Sequence, residues 1–170
     1  NGKVISADQE AALLKFVAGG GGLVGVHSAS GCFSNSQAYI DLIGGTFLSH
    51  GRQAFEATIV KPDHPAMAGV AQFSSIDETY VHTQHNPDKI VLQERRHDGG
   101  SEPWTWVRKH GKGRVFYTAS GHDEETWGRP EFHELLGAGI KWAVGESAAR
   151  RTAGLKRPEP EYISQEPYLQ

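Results

Sequence analysis

Two short apolar runs in this chain end in histidine. Leu23-Val24-Gly25-Val26 leads into His27-Ser28-Ala29, and Val115-Phe116-Tyr117-Thr118-Ala119 leads into Ser120-Gly121-His122-Asp123-Glu124-Glu125. Each run has the length and composition of a buried strand. In open α/β sheets, ligands bind beyond the carboxyl ends of the parallel strands. An imidazole at such a place can transfer a proton near neutral pH or ligate a metal. His27 and His122 are therefore expected to face one another, with Glu78 or Glu125 within reach. Small residues on both sides of His27 permit a sharp strand-to-helix turn of the kind that carries a nucleophile. Histidine is a poor acyl nucleophile, however, and Cys32 lies five residues too late to replace it. The candidate catalytic set is His27, Ser28, Glu78, His122 and Glu125. No cofactor is required by the sequence; a divalent metal on His27 and His122 is the one candidate.

Each of these residues also has a structural reading. His27 could satisfy backbone groups in the core. His122 and Glu125 could belong to a helix start, where Asp123 and Glu124 suit the positive helix end. His64, before Pro65, reads as a turn residue. His82 and His85 are three apart, which puts them on opposite faces of a strand. A chelate from that pair requires the strand to end at Val81.

The elements that must position these groups follow from pattern. Ser6-Ala7-Asp8-Gln9 has the form of a capping box, and the apolar residues after it predict a helix to Ala18. Gly19 to Gly22 stop that helix before the strand Leu23–Val26. A second helix is predicted over Ser36–Ile43, closed by Gly44-Gly45. Strands are predicted at Phe55–Val60, Glu78–Val81, Lys89–Arg95, Trp104–Lys109 and Arg114–Ala119. His97–Ser101 reads as a hairpin loop and Gly111-Lys112-Gly113 as a turn. Pro130 opens the last helix, where its missing N–H costs nothing, and Gly145 ends it. The expectation is an α/β domain over residues 1–147, with a mostly parallel sheet and with Leu23–Val26 and Arg114–Thr118 fully buried. Residues 148–170 hold three of the eight prolines and no periodicity, and read as an extended tail or linker.

Composition narrows the function classes. With 17 basic and 20 acidic residues the chain lacks the positive bias of a nucleic-acid binder. No apolar run approaches the ~18 residues of a membrane span. The single cysteine, Cys32, excludes an internal disulfide and a cysteine-based zinc cluster. Glycine, at 21 of 170 residues, is well above its ~7% average and forecasts tight turns and close backbone approaches.

Five ordered motifs carry a resemblance. They are Gly-Gly-Gly-Leu-Val-Gly-Val-His-Ser-Ala (20–29), Asp-His-Pro-Ala (63–66), Asp-Glu-Thr-Tyr (77–80), Gly-Lys-Gly-Arg-Val-Phe-Tyr-Thr-Ala (111–119) and Gly-His-Asp-Glu-Glu (121–125). Together they resemble the ThuA-like, or trehalose-utilisation, family over roughly residues 1–145. The resemblance implies a class I glutamine-amidotransferase-like, flavodoxin-type α/β fold with helices on both faces. It also implies a link to the metabolism of trehalose and related disaccharides, including 3-keto sugars. The family begins with further units, ~60 residues or about two α/β units, that have no counterpart here. The chain therefore reads as N-terminally incomplete. The Pro-rich tail resembles the segment that follows ThuA-like modules in large exported bacterial proteins. That implies a periplasmic or exported setting and further domains of the same polypeptide, with a cytoplasmic location as the alternative.

Amidotransferases carry cysteine where His27 stands, so glutamine hydrolysis by the covalent route is not expected. Under the resemblance, His50, Tyr80 and Trp104 become candidates to bind a small carbohydrate. An indole face can stack on a sugar ring, although Trp104 and Trp106 also suit an aromatic core pair. The leading function is a sugar-binding or sugar-transforming domain of hydrolase or isomerase type. The alternative is a non-catalytic interaction module within a larger protein.

Overall fold

The computed structural model describes residues 6–152, with side chains through Gly145. Helix α1 (Ala7–Ala18) starts at the predicted capping box. The Gln9 amide N–H bonds Ser6 Oγ at 3.2 Å, and the Gln9 side chain accepts from the Ser6 N–H at 2.8 Å. Strand β1 (Gly22–Val26) follows and passes into a single 3-10 turn, His27–Gly31. Helix α2 (Gln37–Ile43) is capped by Ser36 and closed by Gly44 at φ 96°. Strands β2 (Thr46–Ile59), β3 (Ser74–Thr83), β4 (Ile90–His97), β5 (Gly100–His110) and β6 (Gly113–Thr118) come next. Helices α3 (Glu124–Trp127) and α4 (Pro130–Thr152) end the described chain.

The six strands form one sheet in the order β1-β6-β5-β4-β2-β3. Only β1 and β6 are parallel; every other neighbouring pair is antiparallel. The sheet is therefore mixed, and the expected parallel majority is corrected. The reason lies in the connections. The link from β4 to β5 closes at His97–Gly100 and that from β5 to β6 at His110–Gly113. Such links are far too short for a crossover, which takes a dozen or more residues, so these strands must run antiparallel. A second correction concerns β1. It lies at one end of the strand order, and of its five residues only Gly25 is fully buried. Strand β6, one place inward, is buried as expected except at Arg114.

Helices cover both faces. On one, Val17 of α1 and Tyr39, Leu42 and Ile43 of α2 pack with Trp104, Trp106, Val115, Tyr117 and Ala119. On the other, Phe132 and Leu135 of α4 pack with Leu92, Val107 and Phe116. Alternation along β6 sends Val115 and Tyr117 to the first core and Phe116 to the second. The fully buried indoles of Trp104 and Trp106 dominate the first.

Strand β2 is much longer than the predicted Phe55–Val60, because its first half is exposed and polar and gives no alternating signal. Its Ala57–Ile59 end pairs with β4, while Thr46–Glu56 pairs with β3. This β2–β3 ribbon curls over the first core through Phe47, Phe55 and Tyr80. The curl brings β3, last in the strand order, back to the end of β1, first in that order. Gly145 (φ 69°) breaks α4 where a stop was predicted, but helical backbone continues to Thr152. The rest of the expected tail lies outside the described residues.

Candidate functional site

The site is built where β1 and β6 end. His27 follows β1 with φ 48°, in the left-handed region that residues other than glycine rarely adopt. The expected sharp strand-to-helix turn is thus present, with histidine at its apex. Several contacts over-determine this conformation. The His27 carbonyl accepts from the Tyr117 hydroxyl at 2.8 Å, and its ring Nδ1 lies 3.0 Å from the Ala119 carbonyl oxygen. A carbonyl only accepts, so Nδ1 carries the proton, and in the neutral ring Nε2 presents a lone pair.

His122 reaches the same place from the loop after β6. Gly121, at φ 118°, makes that loop: a Cβ there would lie 3.0 Å from Val26 Cγ1. Glu78, from the middle of β3, completes the group. Its Oε2 is 3.3 Å from His27 Nε2 and 3.3 Å from His122 Nδ1, and the two imidazole nitrogens are 3.4 Å apart. The other carboxylate oxygen is 3.6 Å from Nδ1 of His50, which stands on β2 directly opposite Tyr80. The ring of Tyr80 packs on that of His27, centroid to centroid 4.3 Å. Burial, then the negative charge of Glu78, pushes the Tyr80 phenol up to about 12. It therefore remains a neutral hydroxyl at physiological pH.

The remaining sequence candidates lie elsewhere. Glu125 is exposed on α3 and pairs with Arg129 at 3.3 Å. Ser28 is exposed on the 3-10 turn. Trp104 is corrected as a sugar platform: it is fully buried, donates its indole N–H to Ser120 Oγ at 2.8 Å and packs edge-on against Phe55. His64 takes the expected turn role, its Nδ1 accepting the Ala66 N–H at 3.1 Å.

Sequence reasoning missed Asp77. Its buried carboxylate accepts the backbone N–H groups of Glu78 (2.7 Å), Gly121 (3.0 Å) and His122 (3.3 Å), and the Thr126 hydroxyl (2.9 Å). Asp77 ties β3 to the β6 loop and so sets His122 against Glu78. The signal was present: adjacent acids on a strand face opposite sides, so a strand covered on one face must bury one of them and supply it with donors.

A second histidine–carboxylate group lies deeper. His82 Nδ1 meets Glu102 Oε1 at 3.1 Å, and its Nε2 meets the Tyr117 hydroxyl at 3.1 Å. Burial pushes the His82 imidazole below its ordinary range, partly offset by Glu102. This commits His82 to the core and not to a chelate with His85, whose Nδ1 faces Lys89 Nζ.

The chain matches the ThuA family, described as trehalose utilisation, over residues 1–143. It belongs to the ThuA family. Among solved structures it is similar to a ThuA-like protein from Parabacteroides merdae ATCC 43184, with TM-score 0.74, 21% identity, and coverage of 84% of this chain and 67% of that one. A ThuA-like protein from Bacteroides uniformis ATCC 8492 gives TM-score 0.70 at 21% identity, covering 86% of this chain and 67% of that one. The chain thus spans about two thirds of these ThuA-like structures. A β-galactosidase from Rahnella sp. R3 shares the fold over 81% of this chain and 21% of its own, with TM-score 0.59 and 18% identity. No curated protein matches. Membership of the ThuA family and the α/β class agree with the resemblance carried by the five motifs, whereas the sheet is mixed and not the mostly parallel one expected, and among the described residues no helix is long and apolar enough to cross a membrane.

Proposed function

We propose that this ThuA-family chain binds a trehalose-type disaccharide, in the form where a ring hydroxyl has become a ketone, and transfers a proton at the carbon beside that carbonyl. The observation that carries the reading is the convergence of His27, Glu78 and His122 at the ends of β1 and β6, with His50 beside them. Proton abstraction next to a carbonyl needs a base and a positive or hydrogen-bonding group at the oxygen. Imidazoles around one carboxylate can supply both.

Hydrolysis by the usual route needs two carboxyl groups flanking the scissile bond. Glu78 has no such partner among the described residues. Asp77 is committed to four donors, Asp123 is paired with Arg52 at 2.7 Å, and Glu125 with Arg129. This favours proton transfer over glycoside hydrolysis, and an active site over a docking-only module.

The test is proton exchange. The protein is incubated in D2O with trehalose and, separately, with 3-keto-trehalose, and deuterium incorporation is followed by NMR. Deuterium should enter beside the ketone, trehalose itself should stay unlabelled, and Glu78→Gln should stop the exchange. Absence of both exchange and binding with the keto sugar would overturn the reading.

A further inference from the structure

We infer that His27, Glu78 and His122 form a three-ligand site for a four-coordinate divalent cation of the zinc class, with a fourth position left to water or substrate. The inference rests on the reading of this cluster as the functional site, but not on the identity of the sugar.

The first argument is the arrangement of lone pairs. The Ala119 carbonyl fixes the His27 proton on Nδ1, so Nε2 faces Glu78 Oε2 as one acceptor facing another. Both lone pairs border the space that His122 Nδ1 also reaches, so a cation there would meet all three donor atoms.

The second argument is the size of the triangle. The three donor atoms stand 3.3, 3.3 and 3.4 Å apart. A tetrahedral site with bonds of about 2.05 Å has ligand-to-ligand edges of about 3.3 Å. An octahedral site with bonds of about 2.1 Å has neighbouring ligands only about 3.0 Å apart. The observed edges match one face of a tetrahedron.

The third argument is the support around the ligands. Metal-bound histidines almost always donate their other ring N–H to a carbonyl or carboxylate, which fixes tautomer and orientation. His27 does so to Ala119. The backbone of His122 is held by Asp77, and the second oxygen of Glu78 faces His50. The three ligands come from a strand end, a mid-strand position and a loop, so the fold, and not a local sequence motif, sets their spacing.

The other histidine clusters do not offer this arrangement. His82 has both nitrogens occupied by Glu102 and Tyr117, and His64 is bound to its own turn.

The experiment uses the untagged full chain, stripped by a chelator and dialysed. Zn2+, Co2+ and Mg2+ are titrated by calorimetry without sugar, and the Co2+ complex is read by visible absorption. One Zn2+ or Co2+ per chain should bind, Mg2+ should not compete, and cobalt should show the intense bands of four-coordination. Losing an outer-shell partner already costs 10–100-fold in affinity, so Glu78→Gln and His122→Ala are each expected to cost about 100-fold or more. Cys32→Ser, at an exposed free cysteine, should bind like the parent. His122 is partly exposed, so His122→Ala tests the site even if a substitution at His27 fails to fold. No stoichiometric cation, affinity indifferent to both ligand variants, or the weak spectrum of six-coordinate cobalt would each overturn the inference. Metal binding without proton exchange on the keto sugar would remove only the proposed reaction. Exchange that persists in chelator would remove only the metal.

Discussion

Strand β3 carries two histidine–carboxylate groups only four residues apart, and they behave as opposites. At His82, the carboxylate of Glu102 receives the ring Nδ1–H and the backbone N–H of the same residue, and Nε2 meets the Tyr117 hydroxyl. Both ring nitrogens of His82 have protein partners, and its side chain is wholly buried. At Glu78, one carboxylate oxygen stands 3.3 Å from a ring nitrogen of His27 and 3.3 Å from one of His122, with His122 and His50 open to solvent. The first group closes its own network and stabilises the core. The second stays open to solvent and holds three potential ligand atoms around one point. The same pair of residue types is structural or chemical according to whether it is sealed in the core or opens to solvent where strands end.

The contrast breaks most sharply at Glu78. Glu78→Gln keeps the shape and removes the charge. Proton exchange on the keto sugar should fall about 10²–10⁴-fold, the usual contribution of a positioned acid or base. Stability, read by urea unfolding, should change by less than about 1 kcal/mol because the pairs that Glu78 makes are partly exposed. His82→Ala should do the reverse. Removing one partner of a buried pair costs about 3–5 kcal/mol, while exchange per folded molecule should stay close to the parent. A large loss of stability at Glu78 with none at His82 would invert the comparison.

Asp77 is as buried as His82 yet holds the loop of the Glu78 cluster, and Asp77→Asn should show both characters. Replacing an acceptor of four donors with an amide leaves buried groups mismatched, which costs about 1–3 kcal/mol. It also frees the loop that carries His122, so exchange and cobalt affinity should fall together. A variant that loses stability alone would make Asp77 a purely structural residue.

Acidification should separate the regions more gently. Burial holds His82 below its ordinary value of 6.5, so below that pH the unfolded chain binds a proton that the folded chain refuses. Stability is thus complete above about pH 6.5 and declines as pH falls from there to the folded value, by at most about 1.4 kcal/mol per pH unit for this one histidine. Further loss follows below the ordinary carboxylate range. Burial alone would raise Glu102, but hydrogen bonds from His82 outweigh it, and Arg108 lowers Asp88. Urea titrations across pH 5 to 7.5 should show the first decline in the parent and a flatter profile in His82→Ala.

How much of this was legible in the sequence depends on whether the determinant was local. The capping box at Ser6, the Gly44 stop and the histidines at two strand ends are short-range patterns that the structure carries, while at Gly145 it carries a break and not the expected end of the helix. The pairing of His27 with His122 and Glu78 spans 95 residues of sequence, and it was reachable because both histidines end apolar runs. The strand directions were readable from the tight turns at His97–Gly100 and Gly111–Gly113, but an expected parallel majority outweighed them. The β2–β3 ribbon was not readable. Its exposed half has no hydrophobic period, and nothing local reports that it curls back to deliver Glu78. Asp77 was hidden because its partners are backbone N–H groups contributed by a distant loop.

The smallest expected effect concerns Glu125, which spacing had placed beside His122. A carboxylate three residues past a histidine shares its side only if both lie on one helix. Here Asp123 caps α3 by accepting the Thr126 N–H at 3.3 Å, so His122 precedes the helix and Glu125 is inside it. Glu125 turns instead to Arg129, one turn on, in an exposed ion pair. Such pairs contribute about 0.3–0.5 kcal/mol. Glu125→Gln should therefore shift urea unfolding by no more than about 0.5 kcal/mol and leave cobalt affinity and proton exchange at parent values. A tenfold loss of either would mean that α3 rearranges on binding and brings Glu125 in as the second carboxylate. That result would reopen glycoside hydrolysis, the reaction that a lone Glu78 argues against.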